Sequence, residues 1–186
     1  MTLFVIIWSV WCISEVLLNR LFLSRNRHQS KQDKGTLRII WVAIALAISL
    51  GVVSSIHIKL PIGNIAIIPY LGLLIILAGM IFRFAAIYSL GHMFTVNVTI
   101  RDNHKIKKDG LYRIIRHPSY TGSILSFIGF GISLNNWISL IIITVLVVSA
   151  MLYRIKIEEK LLINHFGSDY SDYAKKTYRL VPWIYW

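Results

Sequence analysis

Long apolar runs constrain the fold of this chain more than any other feature of its sequence. They cover residues 3–23, 37–56, 65–90, 120–134 and 137–153. A helix needs about 20 mostly apolar residues to cross about 30 Å of hydrocarbon. Of the 186 residues 56% are hydrophobic and only 15% are charged, whereas a soluble domain is about a quarter charged. The runs exclude a soluble enzyme or a disordered chain, and they predict an all-α, polytopic integral membrane protein with about five transmembrane helices.

The fourth and fifth runs are separated only by Asn135 and Asn136. A link of two polar residues between two apolar helices indicates a tight antiparallel helical hairpin. Each of these runs is short for a span of its own. We therefore expect the two helices to cross the membrane together.

Basic residues gather in alternate loops of the chain. There are 20 Lys and Arg residues against 8 Asp and Glu residues, and most of the basic ones lie in 24–38, 91–119 and 154–186. Such residues accumulate in the cytoplasmic loops of membrane proteins. The pattern predicts an external amino terminus, with the carboxy terminus and the active site in the cytoplasm. It favours a membrane protein over one that binds nucleic acid.

Metal and disulfide chemistry find little support in the sequence. Cys12 is the single cysteine, which excludes a disulfide scaffold and a cysteine zinc site. No pair of histidines has a recognised ligand spacing with carboxylates. We therefore expect no metal site.

Glu15 is a charged residue inside the first apolar run. A charge within a membrane helix is rare and is usually paired or functional. Its expected partners are Asn19, four residues on, or Arg83 in the third run.

Two polar segments, 97–120 and 154–167, carry most of the residues that could do chemistry. Arg154 and Glu158 are four apart, so they share one face of a helix. The tight hairpin brings the end of the fifth run beside His117 and Tyr120 at the start of the fourth. The sequence therefore predicts these four side chains around one spot at the membrane surface. The alternative is an ordinary exposed ion pair between Arg154 and Glu158, with His117 merely ending a loop.

The end of the chain has its own local pattern. A helix over 155–165 is expected to continue the fifth run, and Gly167 is placed to end it in a left-handed conformation. Ser168 is then expected to cap a short final helix. Asp169 and Asp172 would lie in the first turn of that helix, where the helix dipole favours a negative charge.

Two motifs in the second half of the chain form a specific combination. The first is Gly-Leu-Tyr-x-x-x-Arg-His-Pro-Ser-Tyr-x-Gly at 110–122. The second is Arg-x-x-x-Glu-Glu-x-x-Leu-x-x-x-Phe-Gly-x-x-Tyr-x-x-Tyr at 154–173, followed by Pro182. In this order and spacing, the stretch from Gly91 to Pro182 resembles the isoprenylcysteine carboxyl methyltransferase family.

The resemblance implies a single methyltransferase domain over 1–186, with three amino-terminal spans in 1–90 and a cofactor-binding catalytic region in 91–186. The cofactor would be S-adenosyl-L-methionine, bound under a cytoplasmic cap. Arg154 would be the catalytic residue that faces the carboxylate of a lipid-modified cysteine. The residues implied to bind the cofactor are Asn97, His104, Lys105, Ile106, Lys107, Tyr112, His117, Pro118, Ser119, Tyr120 and Glu158.

The identity of the methyl acceptor stays open at the level of sequence. An isoprenylcysteine-like or other lipidic carboxylate has a reference pKa near 4 and is ionised at pH 7, so it needs no general base. The same cofactor could instead serve a phospholipid amine, a thiol or a lipidic enol. A non-enzymatic scaffold or a transporter is a further alternative. The expected partners are a lipidic or prenylated substrate and membrane lipids, with neither nucleic acid nor an obligate protein partner.

Overall fold

The fold is all-α. The computed structural model describes residues 2–21, 31–91 and 106–182. A short 3-10 turn at Gly110–Arg113 precedes the fourth helix. In chain order the helices are α1 (Thr2–Leu21), α2 (Lys31–His57), α3 (Ile67–Leu90), α4 (Pro118–Ser133), α5 (Trp137–Phe166) and α6 (Ser168–Lys175).

Three of these helices are long and apolar enough to cross a membrane: α2 over Gly35–His57, α3, and α5. The apolar part of α1, Thr2–Leu18, is shorter. Helix α4 has 16 residues, which gives a length of about 24 Å at 1.5 Å per residue. The described residues thus form a membrane protein with three full-length candidate spans and, in α1 and α4, two shorter helices, of which that in α1 is apolar. The sequence predicted about five spans.

The predicted hairpin between α4 and α5 is confirmed. Asn135 closes the turn with a positive φ of 47°, a conformation that asparagine tolerates better than most residues. The Asn136 side chain accepts a hydrogen bond from the Ser139 amide at 3.0 Å and so caps α5. The side-chain Nδ2 of Asn135 also donates to the Gly63 carbonyl at 3.1 Å, which ties the turn to the loop between α2 and α3.

Glycine residues allow α3 and α4 to touch through their backbones. A Cβ atom on Gly129 would lie 2.6 Å from the Ile76 nitrogen. A Cβ atom on Gly79 would lie 2.7 Å from the Gly122 carbonyl oxygen, and one on Gly72 would lie 2.7 Å from that of Gly129. Small residues at such contacts are typical of helix packing in membranes. This contact fixes the depth of α4 against α3, and with it the position of the α4 amino terminus.

The core lies where α1 meets the α4–α5 hairpin. Trp11 is buried among Phe127 and Phe130 of α4, and its ring centroid lies 4.7 Å from that of Phe127 in a T-shaped contact. Helices α2, α3 and α5 add the other buried members of this cluster, which are Ala47, Leu73, Ile76, Ile143, Val147 and Met151. Large apolar side chains on the outside remain exposed, as lipid-facing positions would be; the most exposed include Leu74, Ile56 and Ile81.

An ion pair joins α1 to α3 close to the start of α4. Glu15 Oε2 lies 3.0 Å from Arg83 Nη2, which confirms Arg83 as a partner of Glu15; the side chain of Asn19 lies outside the described residues. Arg83 Nη1 also donates to the Ser119 carbonyl at 3.2 Å. Three helices are therefore tied together at the first turn of α4.

The end of α5 follows the prediction only in part. Helix α5 continues to Phe166 without a break, and Gly167 ends it with a φ of +57°. The expected cap at Ser168 is wrong, because Gly167 also serves as the N-cap of α6 and no side-chain bond caps that helix. One residue joins the two helices, so Ser168 already lies in the first helical position. Asp169 does occupy the first turn of α6, whereas the same expectation for Asp172 is wrong, because α6 begins at Ser168 and Asp172 is its fifth residue.

Candidate functional site

The carboxy-terminal segment holds the turn that carries the Arg-His-Pro motif. The Arg116 amide donates to the Tyr178 carbonyl at 2.8 Å, and the His117 amide donates to the Arg179 carbonyl at 3.1 Å. A parallel bridge joins Ile115 to Tyr178. Pro118 then starts α4, at a helix position where its missing amide hydrogen costs nothing. Residues 115–117 and the segment 178–179, far apart in sequence, are thereby held together by backbone hydrogen bonds.

The structure brings together the four side chains that the sequence placed at one spot. The Tyr120 hydroxyl donates to Glu158 Oε2 at 2.9 Å. Arg154 Nε donates to the Tyr120 oxygen at 3.4 Å. His117 Nδ1 lies 4.0 Å from Glu158 Oε1, and the ring centroids of His117 and Tyr120 are 5.7 Å apart. The predicted cluster is confirmed, while the roles of its members stay predictions.

Arg154 is almost completely inaccessible to solvent. Its exposed fraction is 1%, which contradicts the alternative of an exposed ion pair with Glu158. Arg154 Nη1 donates to the hydroxyl of Thr36, a residue of α2 that is 2% exposed. A line of hydrogen bonds therefore runs from Glu158 through Tyr120 and Arg154 to Thr36. Thr36 is not among the predicted site residues, because a lone threonine at the start of an apolar run carries no signal of its own.

Glu159 is also not among the predicted site residues, and it binds different partners from its neighbour Glu158. Arg116 Nε donates to Glu159 Oε1 at 2.9 Å, and Arg179 Nε donates to Oε2 at 2.8 Å. His117 Nε2 lies 3.4 Å from Oε1. Successive residues of a helix point about 100° apart, so the Glu-Glu pair serves two clusters. The signal was present in the motif, since Arg116 belongs to the Arg-His-Pro sequence.

Arg116 is held on several sides. Its side chain is 3% exposed. Besides Glu159, its Nη1 donates to the Ala174 carbonyl at 2.7 Å and to the Thr177 carbonyl. These bonds connect the end of α6 and the segment after it to Arg116, the residue next to His117.

Tyr112 of the 3-10 turn lies beside the cluster. It is buried, its hydroxyl donates to the Ala86 carbonyl at 3.4 Å, and its own carbonyl accepts from the Tyr173 hydroxyl at 2.6 Å. Burial raises the pKa of Tyr112, and the charge of Glu158 raises it further. Burial also raises the pKa of Tyr173 to about 12, against the opposing effect of Arg116. Both phenols are therefore neutral at physiological pH.

The remaining predicted site residues are less closely connected to the cluster. Ile106 and Lys107 are half-buried at the start of the described segment 106–182, and Lys107 Nζ lies 3.0 Å from Asp109 Oδ1. Ser119 contributes its carbonyl to Arg83. Three predicted residues lie outside the described residues: Asn97, His104 and Lys105.

A comparison with protein-family models identifies the family of this chain. The model of the isoprenylcysteine carboxyl methyltransferase family matches residues 71–164, which is half of the chain. The chain belongs to this family. The match begins in α3 and ends near the end of α5, and it includes His117, Tyr120, Arg154 and Glu158. Membership in a methyltransferase family implies that the protein uses a methyl donor.

Individual relatives agree with the family model. Protein-S-isoprenylcysteine O-methyltransferase B of Arabidopsis thaliana is 38% identical over 115 residues, 61% of this chain and 58% of the relative. The protein-S-isoprenylcysteine O-methyltransferase of Saccharomyces cerevisiae is 34% identical over 116 residues, 61% of this chain and 48% of the relative. The chain spans about three fifths of the length of the first curated relatives it matches.

The fold has a counterpart among solved structures. It is similar to a eukaryotic intramembrane Ras methyltransferase, an isoprenylcysteine carboxyl methyltransferase, with a TM-score of 0.58 and 26% sequence identity. The superposition covers 86% of this chain and 55% of the other chain. The family likeness therefore extends beyond the motif region to most of the helices.

Proposed function

We propose that this protein is an S-adenosyl-L-methionine-dependent methyltransferase that methylates the carboxylate of an isoprenylcysteine-like or other lipidic acceptor. The single observation that carries the proposal is the buried Arg154, linked through Tyr120 to Glu158. The cluster lies where α5 passes from its apolar part, ending near residue 153, into the polar 154–166. A water-soluble cofactor and an oily acceptor can meet at such a boundary.

The membrane arrangement is part of the same proposal. Helices α1 and α4 cross the membrane together with the three long helices, giving five spans in a single domain. The basic segments 91–119 and 154–186 face the cytoplasm, and the amino terminus lies outside. The region 91–186 is the cofactor-binding catalytic region, and its two basic segments form a cytoplasmic cap over the cofactor. The short length of α4 is consistent with this arrangement, because the hairpin crosses as a unit with α5.

The residues around Glu158 fit the chemistry of the cofactor. S-adenosyl-L-methionine carries positive charge on its sulfonium and ammonium groups, and Glu158 offers a carboxylate that is partly accessible. The aromatic ring of Tyr120, 5.7 Å from that of His117, provides a flat surface that attracts cations. The buried Tyr170 hydroxyl has no hydrogen-bond partner among residues 2–21, 31–91 and 106–182. It therefore remains available to a polar ligand.

The chain's own residues would act by binding and alignment. When bound, the cofactor supplies a methyl group on a positively charged sulfur. Arg154 would orient the acceptor carboxylate through its planar guanidinium, which can bind a carboxylate in a bidentate manner. The buried surroundings of Arg154 exclude water, which makes a carboxylate more reactive. Such alignment can lower a barrier by roughly 7–11 kcal/mol.

The test is incubation of the purified protein with a labelled methyl donor and a prenylated cysteine. We expect labelled methyl ester from the wild type. Arg154→Ala should bind the cofactor and fail to turn over, whereas Glu158→Ala and His117→Ala should weaken cofactor binding. Lys156→Ala, an exposed residue on the same turn of α5, is the matched control and should be fully active.

Two results would contradict the proposal. The first is undiminished turnover by the Arg154 variant. The second is a rate that rises between about pH 7 and 9, because a carboxylate acceptor predicts a flat profile above about pH 5. A rising profile would instead favour an amine, thiol or enol acceptor.

A further inference from the structure

We propose that Thr36 of α2 is a positioning residue that holds the Arg154 guanidinium in the orientation required by the methyl acceptor. The inference rests on the proposed function and adds to it a residue outside both sequence motifs. Thr36 lies in the amino-terminal half of the chain, outside the region 71–164 that the family model matches.

The two side chains meet inside the protein, away from solvent. Thr36 and Arg154 are 2% and 1% exposed. The Thr36 hydroxyl accepts from Arg154 Nη1, while Arg154 Nε donates to the Tyr120 oxygen at 3.4 Å. Two nitrogens of one planar group are therefore held from two different helices. This pairing fixes both the location of the guanidinium and the rotation of its plane.

Helix α2 is itself a firm support for this contact. At the other end of the α2–α5 interface the Ser139 hydroxyl donates to the Gly51 carbonyl at 2.7 Å. A Cβ atom on Gly51 would lie 2.6 Å from Ile143, so the two helices pack closely there. Thr36 is 2% exposed, so its surroundings restrict the side chain and keep its hydroxyl on Arg154.

Orientation of Arg154 matters because methyl transfer is a displacement in line. The acceptor oxygen forms the new bond to the methyl carbon as the bond from that carbon to sulfur breaks, and the electron pair stays on sulfur. A misplacement of about 1 Å in such a geometry can cost about a hundredfold in rate. Thr36 does not touch the reacting atoms in this scheme. It acts through Arg154.

Two substitutions of Thr36 separate the role of its hydroxyl from that of the rest of its side chain, and a third substitution on α2 is the control. Thr36→Ser keeps the hydroxyl, and Thr36→Val keeps the shape without it. Ser55→Ala is the control, because the Ser55 hydroxyl donates within its own helix, to the Val52 carbonyl at 2.7 Å. If Thr36→Val fails to fold, Thr36→Ala takes its place in the comparison.

We expect Thr36→Val to lower kcat/KM for a prenylated cysteine by about ten- to a hundredfold, the loss typical of a hydrogen bond to a charged group. Its Kd for S-adenosyl-L-methionine, measured by calorimetry, should change less than about twofold. Thr36→Ser and Ser55→Ala should stay near the wild type. In an Arg154→Lys background, Thr36→Val should have no further effect on binding of the prenylated cysteine.

Each outcome decides the matter. Equal kcat/KM for Thr36→Val and the wild type would overturn this inference and leave the proposed function standing. Parallel losses in cofactor affinity and kcat/KM would also overturn it, because they would show a merely structural role. If the wild type methylates neither the prenylated cysteine nor another lipidic carboxylate, the proposed function is wrong and the role of Thr36 falls with it.

Discussion

Glu158 and Glu159 are adjacent and chemically identical, yet the structure predicts that their substitution impairs different properties of the protein. The perturbation is Glu→Gln at each position, which removes the charge and keeps the shape. Glu159 is the carboxylate that binds Arg116 and Arg179, whereas Glu158 accepts one hydrogen bond from Tyr120 and is partly accessible. We expect the first change to reduce stability and the second to reduce cofactor binding.

The magnitude follows from burial. The side chains of Arg116 and Glu159 are 3% and 9% exposed, and removal of one partner from a buried pair costs about 3–5 kcal/mol. The side chain of Arg179 is 26% exposed, so its bond adds less than about 1 kcal/mol. A total near 4 kcal/mol lowers the melting temperature by about 8–16 °C for a protein of this size. Glu158→Gln loses one hydrogen bond, about 1 kcal/mol.

The assay is thermal unfolding of the two purified variants in detergent, followed by tryptophan fluorescence, with calorimetric titration of S-adenosyl-L-methionine at a temperature where both are folded. Limited proteolysis adds a local readout, because the segment 177–182 should become cleavable in Glu159→Gln. Equal melting temperatures for the two variants would refute the assignment of Glu159 as the structural anchor. Normal cofactor affinity in Glu158→Gln would refute the other half of the argument.

Three further predictions concern packing, membrane charge and pH. Gly129→Ala should destabilise the protein by about 1–3 kcal/mol through overpacking, whereas Gly35→Ala, with open space around it, should not lower the melting temperature. Glu15→Gln should cost about 1–3 kcal/mol by leaving the charge of Arg83 without its carboxylate, and a normal melting temperature would contradict this. The pKa of Tyr173 is raised from 10.0 to about 12, so its contribution of up to about 3 kcal/mol is complete below pH 10 and is lost as pH rises through 12. Tyr173→Phe should remove this alkaline loss in unfolding curves.

Several elements could be predicted from the sequence because their causes are local. Asn135 and Asn136 form the tight turn between α4 and α5, since both tolerate conformations that interrupt a helix. Gly167 ends α5 with a positive φ, as its lack of a Cβ atom allows. The cap at Ser168 was wrong for an equally local reason. The joint between α5 and α6 is one residue long, and sequence patterns place helix boundaries only to within a few residues.

The cluster of four site residues could also be predicted, because a short hairpin leaves little choice about which ends meet. His117 and Tyr120 start α4, Arg154 and Glu158 follow the apolar part of α5, and the two-residue link brings them side by side. The partner of Glu15, by contrast, could be identified only from the structure. The sequence offered Asn19 or Arg83, and the ion pair observed is the one with Arg83.

The sequence by itself determined that the chain is an all-α membrane protein and where its polar cluster lies, because burial of apolar runs depends on composition along the chain. Only the tertiary structure decided that Thr36 holds Arg154 across 118 residues of sequence, and that Glu159 holds Arg116. The physical reason is that a buried charge takes its partner from whichever helix faces it. That choice depends on the rotation and depth of each helix. Backbone contacts such as those of Gly122 and Gly129 determine both.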